Sequence, residues 1–310
     1  MACVANVLKA LLNFMNIKII LLFGALLIGF VLLIFSPAMP KKKDQLQVVA
    51  SFYPLYYFSQ YVGGARAEVI NLTPAGVEPH EYELTTRDMA SLENADLLVM
   101  NGGGMESWSD DVIKNFPGIN LVVVGEKLAI KKENVNDPHY WLSPLLAQQM
   151  VDNILMSFKQ ADPKNSQYYQ ANSDKFKAAL VELHNDYQKG LNVCSNKTIV
   201  TAHQAFGHLS ETYGLNQISI FGISPESEPS TRQLMEITET VKKNNIGYIF
   251  LESLADPRFS EMVAKETGAK TLVLNPLEGL TEAESAAGKN YLTEMRGNLE
   301  NLKIALQCKK

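Results

Sequence analysis

Histidine and cysteine are scarce in this chain of 310 residues, with five and three copies, and their placing excludes several classes at once. Cys3, Cys194 and Cys308 are too far apart to form a paired-cysteine zinc motif. No H-E-x-x-H or G-x-S-x-G segment occurs, so the local signatures of a zincin protease and of an α/β-hydrolase are missing. Gly102-Gly103-Gly104 lacks a following Gly-Lys-Ser/Thr, so it reads as a tight strand-to-helix turn, not a phosphate cradle. Positive charge is not in excess: 28 Lys and Arg against 33 Asp and Glu give a net charge of −5. With no basic stripe after residue 44, this argues against a nucleic-acid partner. Low-complexity tracts beyond the N-terminus and internal repeats are also absent. What remains is ordinary globular composition, 46% hydrophobic and 20% charged, in a chain long enough for two core-bearing units.

One long hydrophobic run is present. Ile19 to Phe35 is uncharged, with Lys9 and Lys18 before it and Lys41, Lys42 and Lys43 after it. It exceeds the about 7–15 residues of a usual signal-peptide core and lies at the short end of the about 17–25 that span a bilayer. An uncleaved signal-anchor is the favoured reading. A signal peptide cleaved near Ser36-Pro37-Ala38 stays open, and a buried core helix is the least favoured. Charge on both flanks leaves the orientation open. Either of the first two readings puts Asp44 onward outside the cytoplasm, in the periplasm or on the outer face of the membrane, anchored through residues 19–35 in the first case. Cys3 precedes the run and cannot serve as a lipoprotein cysteine. Cys194 and Cys308 then face an oxidising compartment, where a disulfide is expected, with two free thiols as the alternative.

From residue 46 onward, apolar runs alternate with amphipathic stretches. Strands are expected at 47–52, 68–72, 95–100 and 121–124, with helices at 54–61, 86–93 and 109–115 between them. Helices follow over 145–158 and 165–190; the second carries Tyr169, Phe176, Ala179, Leu180, Leu183 and Tyr187 on one apolar face. Alternation then resumes with strands at 198–201, 217–221, 246–251 and 271–274, helices at 205–213, 231–243 and 259–267, and a last helix over 289–307. The fold class is α/β with parallel βαβ units. The expected division is a targeting segment and linker at 1–45, an N-terminal lobe at 46–160, a linking helix at 161–191 and a C-terminal lobe at 192–310.

Three of the five histidines fall in turn-like or strand-end motifs: Gly76-Val77-Glu78-Pro79-His80, Asp137-Pro138-His139-Tyr140-Trp141 and Thr201-Ala202-His203-Gln204-Ala205-Phe206-Gly207. A fourth motif, Asn275-Pro276-Leu277-Glu278-Gly279, supplies a carboxylate. Three imidazoles and one carboxylate suit zinc in tetrahedral geometry. The separations of 59, 64 and 75 residues exclude a zinc finger, whose ligands are local. They fit a cleft at the carboxyl ends of parallel strands, where open α/β sheets bind ligands. Glu78, Glu81 and Glu252 compete with Glu278 as the carboxylate, and Glu252 reads as structural or superficial. His184 reads as a surface residue and His208 as pointing away from the site. Trp108 and the Tyr56-Tyr57-Phe58 cluster read as packing, as does Trp141, with shielding of His139 as its other possible use.

Taken together, the segments G-V-E-P-H-E-Y-E, D-P-H-Y-W-L-S-P, T-A-H-Q-A-F-G and L-N-P-L-E-G-L-T resemble the metal-specific solute-binding proteins of ABC importers, the ZnuA/TroA-like group (cluster A-I). The resemblance covers about residues 46 to 308. It implies two Rossmann-like lobes joined by a rigid helix, with one divalent ion held in the inter-lobe cleft by His80, His139, His203 and Glu278. It further implies delivery of that ion to a permease and ATPase carried on separate chains. Manganese members of the group usually carry glutamate in place of His203 and often aspartate in place of Glu278, so the set here implies Zn2+, one per chain. Two features depart from the group. Residues 125–136 are too short for a histidine-rich loop and contain no histidine, and the lipobox cysteine is missing.

A monomer without catalytic activity is expected, because four protein ligands leave no open position for an activated water. The competing readings are a manganese or iron receptor of the same group and, less favoured, a zinc hydrolase with Glu278 as general base. An adhesin role is compatible with any receptor reading.

Overall fold

The computed structural model describes residues 45–130, 137–225 and 229–309. In the first half, β1 (Leu46–Ala50), β2 (Ala67–Asn71), β3 (Leu97–Met100) and β4 (Asn120–Val123) form a parallel sheet in the order β2-β1-β3-β4. The two central strands, β1 and β3, are buried at every residue, as their unbroken apolar sequences require when helices cover both faces. The helices are α1 (Tyr53–Gly63), α2 (Thr86–Glu93) and α3 (Ser109–Asn115). Pro54 starts α1 where its missing N–H is harmless, and Thr85 opens α2 through a reciprocal capping box with Asp88.

Two helices follow, α4 (Pro144–Ala161) and α5 (Ser166–Asn192). The second half contains β5 (Thr198–Thr201) paired with β6 (Asn216–Ser219) and β7 (Tyr248–Leu251) paired with β8 (Lys270–Val273), both pairs parallel, with β5 lying beside β7. Its helices are α6 (Gly207–Tyr213), α7 (Thr231–Lys243), α8 (Arg258–Thr267), the short α9 (Glu282–Ala286) and α10 (Tyr291–Ala305). The two α/β lobes are joined through α5. That helix buries Tyr169, Phe176, Leu180, Leu183, Tyr187 and Leu191 along one stripe, against α1 and α4 on one side and α6 and α10 on the other. One apolar core therefore runs from Leu46 in β1, through α5, to Leu302 and Leu306 at the far end of the chain. Smaller clusters lie beneath α7 and α8 (Ile237, Val241, Val263) and beneath α2 and α3 (Leu92, Trp108, Val112).

A disulfide joins Cys194, just after α5, to Cys308, just after α10, across 114 residues of sequence. Two expectations need correction. Strand β6 ends at Ser219, two residues before the apolar run does: Ile220 and Phe221 turn their amides to the carbonyls of Thr201 and Ala202 and pack into the α7–α8 cluster. His184 is half-buried, and its Nδ1 lies 3.2 Å from the Tyr213 hydroxyl, because α5 is covered on that side by α6. The hydrophobic run at residues 19–35 lies outside the described residues, as do residues 131–136 of the short loop. Among the described residues, no helix is long and apolar enough to cross a membrane.

Candidate metal centre

The four residues singled out in the sequence all sit past the carboxyl ends of strands. His80 lies in the loop after β2, His139 after β4, His203 two residues beyond β5, and Glu278 in the loop after β8. Strands within each lobe run parallel, so each lobe gathers its candidates at the carboxyl ends of its strands, and residues far apart in sequence converge there. His139 and His203 are fully buried, Glu278 is 2% exposed, and the His80 side chain is 7% exposed.

Convergence is close. The Nε2 atoms of His80 and His203 each lie 3.3 Å from Nε2 of His139. Oε1 of Glu278 lies 3.3, 3.0 and 3.1 Å from Nε2 of His80, His139 and His203. A tetrahedral ion with bonds of about 2.0–2.1 Å has edges of about 3.3–3.4 Å. These five separations are thus already near the edges of a tetrahedral first shell. Among the described residues, the four are the cluster of His, Cys, Asp and Glu side chains whose ligand atoms all fall within 4.8 Å of one another.

The surrounding carboxylates decide which ring nitrogen faces the centre. Asp137 Oδ1 lies 2.7 Å from Nδ1 of His139 and also accepts the His139 amide at 3.0 Å. Glu252, immediately after β7, does the same for His203: Oε2 lies 2.6 Å from Nδ1, and Oε1 accepts the backbone N–H at 3.0 Å. Each carboxylate keeps the proton on Nδ1 and leaves Nε2 to face inward, the arrangement that orients metal-bound histidines. Glu252 is therefore neither a surface residue nor a competing ligand. Its position right after a strand was a usable signal; the pairing with His203 was not legible, because it joins loops 49 residues apart.

Electrostatics in the metal-free centre follow from this crowding. Burial works against the charged form of His139 and His203, but Asp137 with Glu278 in the first case, and Glu252 with Glu278 in the second, overcome it and raise both imidazoles. Burial likewise works against ionised Glu278, yet the positive His203 and hydrogen bonds from the three histidines hold its carboxyl well below the usual range. Glu78 behaves oppositely: burial, then the negative Glu278, push it up to about 8. Its Oε2 accepts the His80 amide at 2.9 Å, which shapes the turn that presents His80.

The Glu278 loop is built by its own sequence. Asn275 Oδ1 accepts the Leu277 amide at 2.8 Å, and Leu277 adopts φ +59° with its side chain fully buried. A left-handed leucine is uncommon and costs about 1–2 kcal/mol. The Asn turn and the buried side chain hold it there, and the chain reverses to aim Glu278 at the histidines. On the other side, the Gly102–Gly104 segment is a turn, with φ of +80°, +67° and +86°, closed by Glu106 accepting the amides of Asn101 and Gly102.

Residues 48–305 match the ZnuA family model, described as zinc-uptake complex component A, periplasmic. The chain is 36% identical over 317 aligned positions to the zinc-binding protein AdcA of Streptococcus pyogenes serotype M1, covering 94% of this chain but 62% of that one. It thus spans less than two thirds of the length of those streptococcal relatives. It is 37% identical to the high-affinity zinc uptake system protein ZnuA of Bacillus subtilis, over 86% of this chain and 90% of the relative. Among solved structures, the Zn(II)-bound ZnuA-like domain of Streptococcus pneumoniae AdcA superposes with a TM-score of 0.76 at 38% identity, covering 84% of this chain and 99% of that domain. By its family model, its relatives and its two-lobed architecture, the chain belongs to the ZnuA family.

Proposed function

We propose that this chain is an extracytoplasmic zinc-binding receptor that captures one Zn2+ in its inter-lobe cleft and delivers it to an ABC-type importer. His80, His139, His203 and Glu278 are the ligands in this reading. The observation that carries it is the buried cluster of three Nε2 atoms and one carboxylate oxygen, all within 4.8 Å of one another, with Glu278 Oε1 3.0–3.3 Å from each imidazole and His139 Nε2 3.3 Å from the other two, and with two of the imidazoles oriented from behind by carboxylates. Nitrogen-rich, four-coordinate sites favour zinc over manganese, which takes more oxygen ligands. The Zn(II)-bound state of the Streptococcus pneumoniae domain and the zinc-uptake role by which the Bacillus relative is named point the same way.

The role is binding, not catalysis. Glu278 Oε1 stands 3.0–3.3 Å from each of the three Nε2 atoms, which suits a fourth ligand better than a base reaching across a bound water. The permease and ATPase are separate chains. Attachment to the membrane runs through residues 19–35, and the receptor acts as a monomer with Cys194 and Cys308 bridged.

The test is metal content of the purified chain, followed by zinc and manganese offered in competition at equal concentration. One zinc per chain that resists manganese is expected, and His139→Ala should lose zinc affinity by orders of magnitude while staying folded. Retention of manganese or iron instead would keep the receptor and replace its cargo. Unchanged affinity in the alanine variant would remove the site.

A further inference from the structure

His208 is a buried histidine that the metal centre itself does not use. It lies in the first turn of α6, five residues beyond His203, and is 2% exposed. Its Nε2 stands 2.8 Å from the backbone carbonyl of Asp137. A carbonyl only accepts, so Nε2 carries the proton and donates. The Tyr140 ring flanks the imidazole, with centroids 5.2 Å apart.

We propose that His208 is a positioning residue for the metal centre: from the C-terminal half it holds the Asp137 peptide of the N-terminal half, and thereby the carboxylate that aims His139. This rests on the zinc-site reading above. The path is short and every link is a hydrogen bond. His208 fixes the Asp137 carbonyl, Asp137 Oδ1 fixes both the amide and Nδ1 of His139, and His139 Nε2 faces the centre. His203 begins the same segment that carries His208. One five-residue span of backbone therefore sets His203 directly and His139 through Asp137, and it governs their 3.3 Å separation.

The rest of the loop is secured elsewhere, which isolates the part His208 plays. Asn101 Nδ2 donates to the Pro138 carbonyl at 2.9 Å from within the first lobe. Trp141 Nε1 donates to the Pro276 carbonyl at 2.7 Å, the Tyr291 hydroxyl donates to the Trp141 carbonyl, and Ser143 bonds Thr212 at 2.8 Å. These hold residues 138–143. His208 grips the Asp137 end. Removing its N–H leaves a buried carbonyl without its partner, an unfavourable state that the peptide relieves by rotating. Rotation there swings the Asp137 side chain off Nδ1 of His139.

The experiment compares His208→Leu, which removes the donor, with His208→Gln, whose amide nitrogen reaches the position of Nε2. Full-length variants are titrated with zinc against a chromophoric chelator and with Co2+, whose absorption bands report ligand geometry. The thermal midpoint of each metal-free variant is read separately. His208→Leu should bind zinc about 10–100-fold more weakly, the range found for outer-shell partners of metal-bound histidines, with shifted cobalt bands. His208→Gln should restore most of the affinity and the original spectrum. If His208→Leu does not fold, His208→Asn, too short to reach the carbonyl, takes its place in the comparison.

Affinity and cobalt spectrum equal to the unaltered chain in the donor-less variant would overturn the proposal, whatever the thermal midpoint does. Equal loss in both variants would overturn it too, since the donor would then not be the cause. If the folded, unaltered chain takes up neither metal, the zinc-site reading itself falls and takes this inference with it. That outcome is distinguishable because it appears before any His208 variant is compared.

Discussion

At the scale of single residues, the centre is a contest between protons and metal for the same nitrogens. In the metal-free protein, His139 and His203 are raised above the ordinary histidine value of about 6.5. Their contribution to the stability of that form is complete below about pH 6.5 and is lost as pH climbs through the raised values. Glu278, held low, contributes above the usual carboxylate range and loses that contribution as pH falls through its depressed value. Zinc requires neutral imidazoles, so binding expels protons and strengthens as pH rises. The increase in thermal midpoint on adding zinc should therefore be larger at pH 8 than at pH 6, and calorimetric titration in buffers of different ionisation enthalpy should report net proton release. An increment that shrinks toward pH 8 would contradict the assignment. Glu252 sharpens the same point. Glu252→Gln should weaken zinc by about 10–100-fold, read by chelator competition, because His203 loses the charged partner that keeps its proton on Nδ1. The candidates that converge at the centre were legible, since Pro-bounded and strand-end histidines are few in this chain. Asp137 was in plain view two residues before His139, but its role depends on a side-chain rotamer. Glu252 and His208 were harder still, since each acts on a residue from another part of the fold.

At the scale of elements, strand direction separates stability from binding. His203 lies beyond the carboxyl end of β5, whereas Cys194 lies before its amino end, so the disulfide is tied to the opposite side of the lobe. Bridging residues more than 100 apart typically stabilises by about 2–4 kcal/mol. The double substitution Cys194→Ser with Cys308→Ser should lower the unfolding free energy read from urea denaturation by an amount in that range and leave zinc affinity unchanged. A tenfold loss of affinity would show that the two ends of the lobe are coupled. The Glu278 loop is the converse case, where stability and binding share one device. Asn275→Ala removes the acceptor for the Leu277 amide and should weaken zinc at least severalfold, since the left-handed turn that aims Glu278 loses its support. Most elements were readable from periodicity: α2, α3, β5 and α7 have the bounds expected from the sequence. The end of β6 was not, because Ile220 and Phe221 are apolar for a reason other than pairing. They fill the space beneath α7 and α8.

At the scale of the whole molecule, the lobes share one core. Phe58 of α1, Phe176 and Tyr187 of α5, and Tyr291 and Met295 of α10 belong to a single buried cluster. Phe58, Phe176 and Tyr291 form edge-on and tilted ring pairs with centroids 4.9 and 5.2 Å apart. Hydrogen bonds from Trp141 to Pro276 and from Tyr291 to Trp141 cross between the halves beside the centre. Such continuity predicts one cooperative unfolding transition in calorimetry for residues 45–309, not one for each lobe. Two resolved transitions that zinc merges into one would show that the shared core is weaker than its burial implies. Zinc at about a hundredfold excess over its dissociation constant should add about 2.7 kcal/mol to the folded state, and a chelator should reverse this fully.

The sequence by itself determined the residue types and their local settings. Alternating apolar runs set parallel α/β lobes, the apolar stripe of α5 set a helix buried on one face, and three motif histidines with a carboxylate set the chemistry of a small, nitrogen-rich metal site. These follow from period, turn chemistry and side-chain identity, all of which act over a few residues. Only the tertiary structure decided how closely the three imidazoles and Glu278 meet, which nitrogen of each imidazole faces inward, and which buried side chains hold them from behind. Apart from the Asp137–His139 pair, those outcomes rest on contacts of about 3 Å between residues 49 to 198 apart in sequence, set by how strands stack and loops meet.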